Sequence, residues 1–294
     1  MDGKNLFLLK NAFTTEENYD FSKNSTIGVG GSSPLAVFPN NLSKAVELLD
    51  FLRKENLPFY PLGNLSNVLP TDGVSKRLVF STKKLNAVSH EKGLFVEAGV
   101  TSGALLSFCK QRALTGAEFL FGIPCTLGGA LYMNAGVSGK YISEIVESVT
   151  AYIDGKVEEL PIEDCNYAYK QSVFMQTDGV ILGARLRLKV ATGEDVSRKI
   201  AYYAERRLHL PKGKSMGCVF KNPVGLRAGE LIEKSGLKGL RVGGAFVSET
   251  QANFIINDNA ATAGDIKTLI SLIKNAVQSQ YGIRLEVEIR YIQN

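Results

Sequence analysis

The chain has 294 residues, of which 45% are hydrophobic and 21% charged, and its formal net charge is +5. A chain of this length is too long for one comfortable core, so we expect two or three domains. The charge is spread along the sequence, which argues against nucleic acid as a partner and leaves open an anionic small molecule or a merely basic surface.

The patterns of cysteine and apolar residues indicate a cytoplasmic protein. Charged residues interrupt the apolar ones over residues 1–20, unlike a signal peptide, and no apolar run reaches the roughly 18 residues of a membrane span. The four cysteines form no Cys-x-x-Cys pair and have two histidines as possible co-ligands, so neither a metal site nor a disulfide framework is predicted. Free cysteines of this kind are typical of a reducing compartment.

The first third of the chain alternates helical and strand patterns. Apolar spacing predicts a helix over residues 42–56, with Ser43 as its N-cap. Short strands are predicted over 59–63, 77–81 and 94–98. This part of the chain is therefore expected to form a small α/β unit.

The middle of the chain carries strand signals. Asp154-Gly155 lies between two alternating runs within residues 148–160 and predicts a hairpin turn. Residues 180–190 alternate apolar with basic side chains, the pattern of a half-buried antiparallel strand.

Helical patterns dominate the last hundred residues. Helices are predicted near 196–208 and 228–235, and an amphipathic one runs from Asp265 to about Tyr281, where Gly282 ends it.

Three loops rich in glycine stand out, over residues 28–31, 63–67 and 122–129. Glycine lets a backbone approach a phosphate closely, and Ser or Asn adds hydrogen-bond donors. None matches the spacing of a Walker or Rossmann motif, which favours another kind of dinucleotide cradle, although each loop alone could be an ordinary turn. The small residues of 133–136 suit either a flat ring system or close helix packing.

Segments along most of the chain resemble one enzyme family. The matching segments, in order, are Asn24-Ser25-Thr26, Gly30-Gly31, Leu62-Gly63, Ser66-Asn67, Gly122-Ile123-Pro124, Gly128-Gly129-Ala130, Met133-Asn134-Ala135-Gly136, Gly217-Cys218-Val219-Phe220-Lys221-Asn222-Pro223, Ala228-Gly229, Leu231-Ile232-Glu233, Gly236-Leu237-Lys238-Gly239, Leu285 and Glu288. In residues, order and spacing the chain resembles the UDP-N-acetylenolpyruvoylglucosamine reductases, in their shorter subtype, from about residue 24 to residue 292.

The resemblance implies an α+β fold with three parts. An FAD-binding domain of the vanillyl-alcohol-oxidase (PCMH) type would comprise two α/β subdomains, residues 1–84 and 85–193, and a C-terminal α+β substrate-binding domain would span 194–294. It also implies FAD as cofactor, NADPH as hydride donor and a UDP-sugar as substrate. The residues expected to bind FAD are Leu62, Gly63, Asn64, Ser66, Asn67, Gly122, Ile123, Pro124, Thr126, Gly128, Gly129, Asn134, Ala135 and Gly136.

The implied reaction adds hydride to an enolpyruvyl double bond and a proton to the neighbouring carbon, with stabilisation of the charge that develops on the adjoining carboxylate. The family's proton-donating serine falls on Cys218, its charge-stabilising arginine on Lys170, and its late glutamate on Glu288. From pattern alone, Cys218 could be a core residue, Lys170 a solvated lysine and Glu288 part of an alternating edge strand. The resemblance favours catalytic roles for Cys218 and Glu288. For Lys170, a catalytic role and a solvated surface position are about equally favoured.

Substrate contacts are predicted at Lys221 and Asn222, and at Arg206 for the diphosphate. Two departures fall in the flavin half, where Leu65 and Cys125 stand at positions that the family fills with glycine. A side chain there requires an ordinary backbone angle or a local shift, which predicts weaker flavin binding.

The departures at Lys170, Cys218, Leu65 and Cys125 motivate a second hypothesis, a non-catalytic relative that binds a nucleotide sugar. A flavin oxidase acting on a sugar or lactone is disfavoured, because residues 218–223 and 236–239 match the reductases' own C-terminal domain.

Overall fold

The structure is a computed structural model that describes residues 3–90 and 93–292. The predicted domain ends at residues 1 and 294 lie outside the described residues. Helices and strands are mixed throughout, as expected for an α+β protein. Along the described residues, no helix combines the length and the apolar character that a membrane crossing requires.

The described α-helices range from four to nineteen residues. In chain order they are α1 (Gly3–Ala12), α2 (Phe21–Asn24), α3 (Leu42–Lys54), α4 (Ser102–Gln111), α5 (Leu127–Tyr132), α6 (Gly193–Glu205), α7 (Ala228–Lys234) and α8 (Ala263–Tyr281). Short 3-10 turns cover Thr82–Lys84, Glu118–Leu120, Ile142–Ile145, Ile162–Cys165 and Val173–Met175.

The described strands are mostly short. In chain order they are β1 (Thr14–Asp20), β2 (Ser32–Phe38), β3 (Phe59–Leu62), β4 (Val68–Leu69), β5 (Leu78–Ser81), β6 (Val88–Ser89), β7 (Leu94–Glu97), β8 (Leu114–Thr115), β9 (Gly136–Val137), β10 (Lys140–Tyr141), β11 (Val146–Ile153), β12 (Lys156–Pro161), β13 (Val180–Leu186), β14 (Lys189–Val190), β15 (Arg241–Val242), β16 (Ala245–Val247), β17 (Ile255–Asn257) and β18 (Arg290–Tyr291).

The chain divides into two compact units, each assembled from separate stretches of sequence. The described part of unit 1 comprises residues 3–16, 35–64, 77–90 and 93–208, and that of unit 2 comprises residues 17–34, 65–76 and 209–292. The division into three domains at residues 84 and 193 stays a prediction.

Unit 1 contains two larger sheets, each with its own apolar core, and two two-stranded sheets, β10-β9 and β14-β8. In the first, β5 lies between β2 and β3 and runs parallel to both, and α3 packs its buried leucines into this core. The second sheet is antiparallel, with strand order β12-β11-β13-β7-β6, and its core includes α4 and α5. Unit 1 therefore combines the expected α/β unit with a mainly antiparallel one.

In unit 2, the long helix α8 packs on a small antiparallel sheet of order β15-β16-β17. The apolar face of α8 contains Ile266, Leu269, Ile270, Ile273 and Val277, which are all buried in the core of this unit. The carboxylate of Asp72 accepts hydrogen bonds from Ala263 N (2.7 Å) and Gly264 N (3.0 Å), so it satisfies two main-chain donors at the start of α8.

Two sequence predictions are confirmed in detail. The hairpin joins β11 to β12, with Asp154 (φ 50°) and Gly155 (φ 85°) both in the left-handed region that such a two-residue turn requires. Helix α8 ends at Tyr281, and Gly282 follows with φ 69°.

Two local predictions are wrong. The N-cap of α3 is Asn41 rather than Ser43, because the Asn41 side chain accepts a hydrogen bond from Lys44 N at 2.9 Å. The strand predicted over 180–190 ends at Leu186 and is buried on both sides. Val180 and Leu182 join the core around α3, whereas Ile181 and Leu186 join the core of the second sheet.

Candidate active site

Two of the predicted flavin loops meet within unit 1. A Cβ atom placed on Gly63 would lie 2.3 Å from Oγ1 of Thr126, so a side chain at this position would force Thr126 to shift. The Asn64 side chain donates a hydrogen bond to the carbonyl oxygen of Pro124 at 3.4 Å. The end of β3 and the start of α5 therefore lie against each other.

The start of α5 leaves room for a bound group. Main-chain N–H groups of Leu127 and Gly128 donate to Val100 and Ala98, each at 2.8 Å, which anchors this end of the helix to the sheet. Gly129 is exposed, and a Cβ atom there would meet only Oγ1 of Thr126, at 3.6 Å. An accessible backbone lined by glycines fits the close approach of a dinucleotide.

The two residues that replace family glycines behave differently. Cys125 is not among the residues with positive φ, and it is buried, which raises the pKa of its thiol to about 11. Leu65 keeps the left-handed backbone, with φ 48°, and is 3% exposed. This left-handed backbone costs about 1–2 kcal/mol of folding free energy. Burial of the leucine side chain contributes about 1.5–3 kcal/mol and offsets that cost. Weaker flavin binding stays a prediction.

Asn134 links the 133–136 segment to the turn that carries Lys170. Ala168 and Gln171 exchange main-chain hydrogen bonds of 3.2 and 3.1 Å, and Lys170 between them has φ 54°. The buried Asn134 side chain donates to the carbonyl oxygen of Ala168 at 2.9 Å and accepts from Ser143 N at 3.3 Å. The Asn134 amide thus contacts protein groups at both ends and holds the Lys170 turn in place.

In unit 2, the segments that carry Cys218 and Glu288 run side by side. The main-chain N–H of Glu288 donates to the carbonyl oxygen of Val219 at 2.8 Å, and Phe220 forms an antiparallel bridge with Val287. Glu288 is 8% exposed, whereas Cys218 is half-buried. The two predicted catalytic residues of this unit therefore lie in neighbouring, hydrogen-bonded segments.

Asn67, a predicted flavin residue, also contacts the Glu288 segment. Its side chain donates to the carbonyl oxygen of Glu288 at 3.4 Å, and its own carbonyl oxygen accepts from Arg290 N at 2.9 Å. These bonds continue the parallel pairing of β4 with β18.

The predicted substrate residues have protein contacts. Lys221 is 16% exposed at its side chain and pairs with the exposed Glu286, with Nζ and Oε1 2.6 Å apart. The Asn222 side chain accepts from Ala228 N at 3.0 Å and so caps α7. Arg206 is exposed, and its guanidinium lies 4.9 Å from the Tyr202 ring centroid.

Sequence reasoning missed Arg207 as a contact of the flavin loop. Its guanidinium donates to the carbonyl oxygen of Gly122 at 2.9 Å, and a Cβ atom on Gly122 would lie 2.7 Å from Arg207 Nε. The signal in the sequence is the adjacent pair Arg206-Arg207, but nothing there says which arginine reaches the loop.

The predicted site residues are distributed over both units. Unit 1 contains Leu62, Gly63, Asn64, Gly122, Ile123, Pro124, Thr126, Gly128, Gly129, Asn134, Ala135, Gly136, Lys170 and Arg206. Unit 2 contains Ser66, Asn67, Cys218, Lys221, Asn222 and Glu288. Within residues 3–90 and 93–292, no group of three or more His, Cys, Asp and Glu side chains is arranged to hold a metal ion.

Two family models match the chain. Residues 33–160 match an FAD binding domain, and residues 209–292 match the UDP-N-acetylenolpyruvoylglucosamine reductase C-terminal domain. The predicted flavin loops around Gly63 and Thr126 fall in the first match, and Cys218 and Glu288 fall in the second.

Curated relatives and a solved structure are similar along nearly the whole chain. A UDP-N-acetylenolpyruvoylglucosamine reductase of Syntrophobacter fumaroxidans is 39% identical over 91% of this chain and 81% of that protein. One from Streptococcus pneumoniae is 36% identical over 94% of this chain and 91% of that one. The crystal structure of a UDP-N-acetylenolpyruvylglucosamine reductase from Thermus caldophilus has 33% identity and a TM-score of 0.82, and the match covers 96% of this chain and 99% of that one.

Proposed function

The chain belongs to the UDP-N-acetylenolpyruvoylglucosamine reductase family and is an FAD-dependent oxidoreductase, and we propose that NADPH is its hydride donor. It reduces the enolpyruvyl ether of UDP-N-acetylglucosamine enolpyruvate, a step of peptidoglycan precursor synthesis. The product is UDP-N-acetylmuramate, and we place the reaction in the cytoplasm. The predicted fold class and the FAD cofactor are confirmed by the family matches and by the similar crystal structure.

FAD, when bound, supplies hydride to the terminal carbon of the enolpyruvyl double bond. The residues proposed to hold it are those of the loops around Gly63 and Thr126, with Asn64 and the segment ending at Gly136. Support comes from the exposed backbone of Gly129 at the start of α5. It also comes from the close approach of Gly63 to Thr126, where a side chain on Gly63 would collide with the threonine. Arg207, which donates to Gly122 O, is proposed to support the same loop.

Cys218 is the proposed proton donor to the carbon beside the substrate carboxylate. A thiol has a reference pKa near 8.5, far below that of an alcohol, so it gives up a proton at least as readily as the family's serine. The hydrogen bond between Glu288 N and Val219 O is the observation that carries this proposal, since it joins the two segments of unit 2 that contain the catalytic candidates.

Glu288 and Lys170 are proposed to stabilise the charge on the substrate carboxylate. A carboxyl group stabilises a neighbouring carboxylate by donating a hydrogen bond to it through its O–H. Glu288, at 8% exposure, is suited to that arrangement. Lys170 would contribute a positive charge without the two-pronged hydrogen bonding of arginine.

Lys221, Asn222 and Arg206 are proposed to bind the charged parts of the UDP-sugar. Lys221 is the strongest of the three candidates, because its mostly buried ammonium is held by the exposed carboxylate of Glu286. The Asn222 side chain accepts a hydrogen bond from Ala228 N, which fixes its amide beside the start of α7, one residue along the chain from Lys221.

The absorption spectrum of the purified protein tests the proposed donor. The protein, saturated with FAD under anaerobic conditions, is mixed with NADPH or with NADH, and the bleaching of the oxidised flavin is followed. Faster bleaching by NADPH supports the proposal, and equal or faster bleaching by NADH contradicts it. A protein that binds the UDP-sugar but no FAD would instead support the non-catalytic relative.

A further inference from the structure

Asn253 holds the Cys218 segment through its side chain. Asn253 is 4% exposed, and both ends of its amide reach the main chain of Phe220. The carbonyl oxygen of the amide accepts from Phe220 N at 2.9 Å, and the amide nitrogen donates to Phe220 O at 2.8 Å. Phe220 is 1% exposed, so the side chain of Asn253 satisfies two polar groups that are shielded from water.

The segment from Cys218 to Lys221 lies between two others of unit 2. On one side, Val219 N donates to the carbonyl oxygen of Asn253 at 2.9 Å, and Cys218 forms an antiparallel bridge with Phe254. On the other side lie the bonds to residues 286–288. The Asn253 side chain extends the first set of bonds by one residue, where the main chain alone ends its pairing.

We propose that Asn253 is a positioning residue for the protonation step, acting through Phe220 on Cys218. The inference rests on the proposed role of Cys218. An amide is the side chain that donates and accepts at the same time with this reach, so neither Asp nor Leu can make both bonds. Without them, the buried N–H and C=O of Phe220 lose their partners and the segment shifts to find new ones. Because Cys218 is two residues away, such a shift moves its sulfur relative to the bound substrate.

Asn257 provides a matched control in the same unit. It is also 4% exposed, and its amide bonds main-chain groups at both ends, with Nδ2 2.9 Å from Ile27 O and Oδ1 2.8 Å from Asn259 N. Neither of these contacts involves residues 218–221. Asn257→Ala therefore removes a comparable set of buried bonds without releasing the Cys218 segment.

The test compares Asn253→Ala, Asn253→Asp and Asn257→Ala in two measurements. The first is the single-turnover rate at which UDP-N-acetylglucosamine enolpyruvate reoxidises the NADPH-reduced enzyme. We expect Asn253→Ala to slow this step by up to about 10²-fold, the scale of a misplacement of roughly 1 Å. The reduction by NADPH should be unchanged, and Asn257→Ala should reoxidise at the parent rate.

The second measurement is the rate at which an aryl disulfide modifies the Cys218 thiol in protein without substrate. Asn253→Ala should change this rate and Asn257→Ala should not. Adding Cys218→Ala to Asn253→Ala should slow reoxidation no further than Cys218→Ala alone, because both changes act on one proton transfer. If Asn253→Ala does not fold, Asn253→Asp, which keeps the acceptor, should still show the partial loss.

Three results would overturn the proposal: parent-like reoxidation by the folded Asn253 variant, equal slowing by Asn257→Ala, or fully multiplicative losses in the double variant. A failure of the proposed function looks different, because the parent enzyme itself would then not be reoxidised by the enolpyruvyl sugar.

Discussion

Glu288 and Val219 are joined by a main-chain hydrogen bond of 2.8 Å, although 69 residues separate them (288 − 219). This bond aligns the segment that contains Glu288 with the residue that follows Cys218. Both candidates thus belong to one hydrogen-bonded part of unit 2, in which Cys218 is half-buried.

Thiol reactivity should single out Cys218 among the four cysteines. Burial raises the pKa of Cys109 to about 12 and those of Cys125 and Cys165 to about 11, and all three are buried. Since the thiolate is the reactive form, these three should react slowly with an aryl disulfide at pH 8. One thiol per chain should react fast, and Cys218→Ser should remove that fast phase. A fast phase that survives in the serine variant would contradict this assignment.

Lys221→Ala should raise the substrate's KM by about 10- to 100-fold, the loss of one charged hydrogen bond, with a smaller effect on kcat. Glu286→Gln is the matched control, because it removes the same ion pair but leaves the Lys221 ammonium in place. Steady-state kinetics should show a KM close to the parent value in the glutamine variant. Equal KM values for the parent and Lys221→Ala would exclude Lys221 from the substrate site.

The role of Lys170 can be tested by substitutions that leave the energetic cost of its left-handed backbone unchanged. Lys170 has φ 54°, and arginine and alanine meet the same left-handed strain as lysine does. Lys170→Arg should keep or raise the reoxidation rate, since arginine can grip a carboxylate with two hydrogen bonds, whereas Lys170→Ala should lower it. Parent-like single-turnover rates in Lys170→Ala would show that this lysine is a surface residue.

FAD should bind without a covalent link, because neither His90 nor His209 lies in the predicted flavin loops. Acid precipitation of the loaded protein should leave the yellow colour in the supernatant. Colour that stays with the pellet would show a covalent bond.

Much of the fold follows from local sequence patterns. The apolar spacing of α8 and its terminal Gly282, and the Asp154-Gly155 turn, are properties of neighbouring residues and were predicted correctly. The burial of β13 is not predicted correctly, because Arg185, Arg187 and Lys189 alternate with apolar residues over 180–190, the pattern of a strand with one solvent-exposed face. Two separate cores cover this strand, and that depends on residues far away in the sequence.

The candidate site divides in the same way. The family resemblance predicts catalytic roles for Cys218 and Glu288, and the C-terminal family match includes both positions. Arg207 and Asn253 are not predicted from the sequence, because their contacts are with distant residues. Arg207 bonds Gly122, 85 positions away, and Asn253 bonds Phe220, 33 positions away. No local pattern distinguishes Asn253 from other asparagines, whose side chains usually serve turns or solvent.

Single-turnover reoxidation of the flavin tests the account most directly. The enzyme is reduced anaerobically with one equivalent of NADPH and mixed with UDP-N-acetylglucosamine enolpyruvate, and the return of oxidised flavin is compared with the UDP-N-acetylmuramate formed. We expect one product per flavin, a slowing of roughly 10²–10⁴-fold in Cys218→Ala and substantial activity in Cys218→Ser. A parent enzyme that is not reoxidised by this substrate would contradict the proposed reaction, and parent-like rates in Cys218→Ala would show that the proton comes from another group.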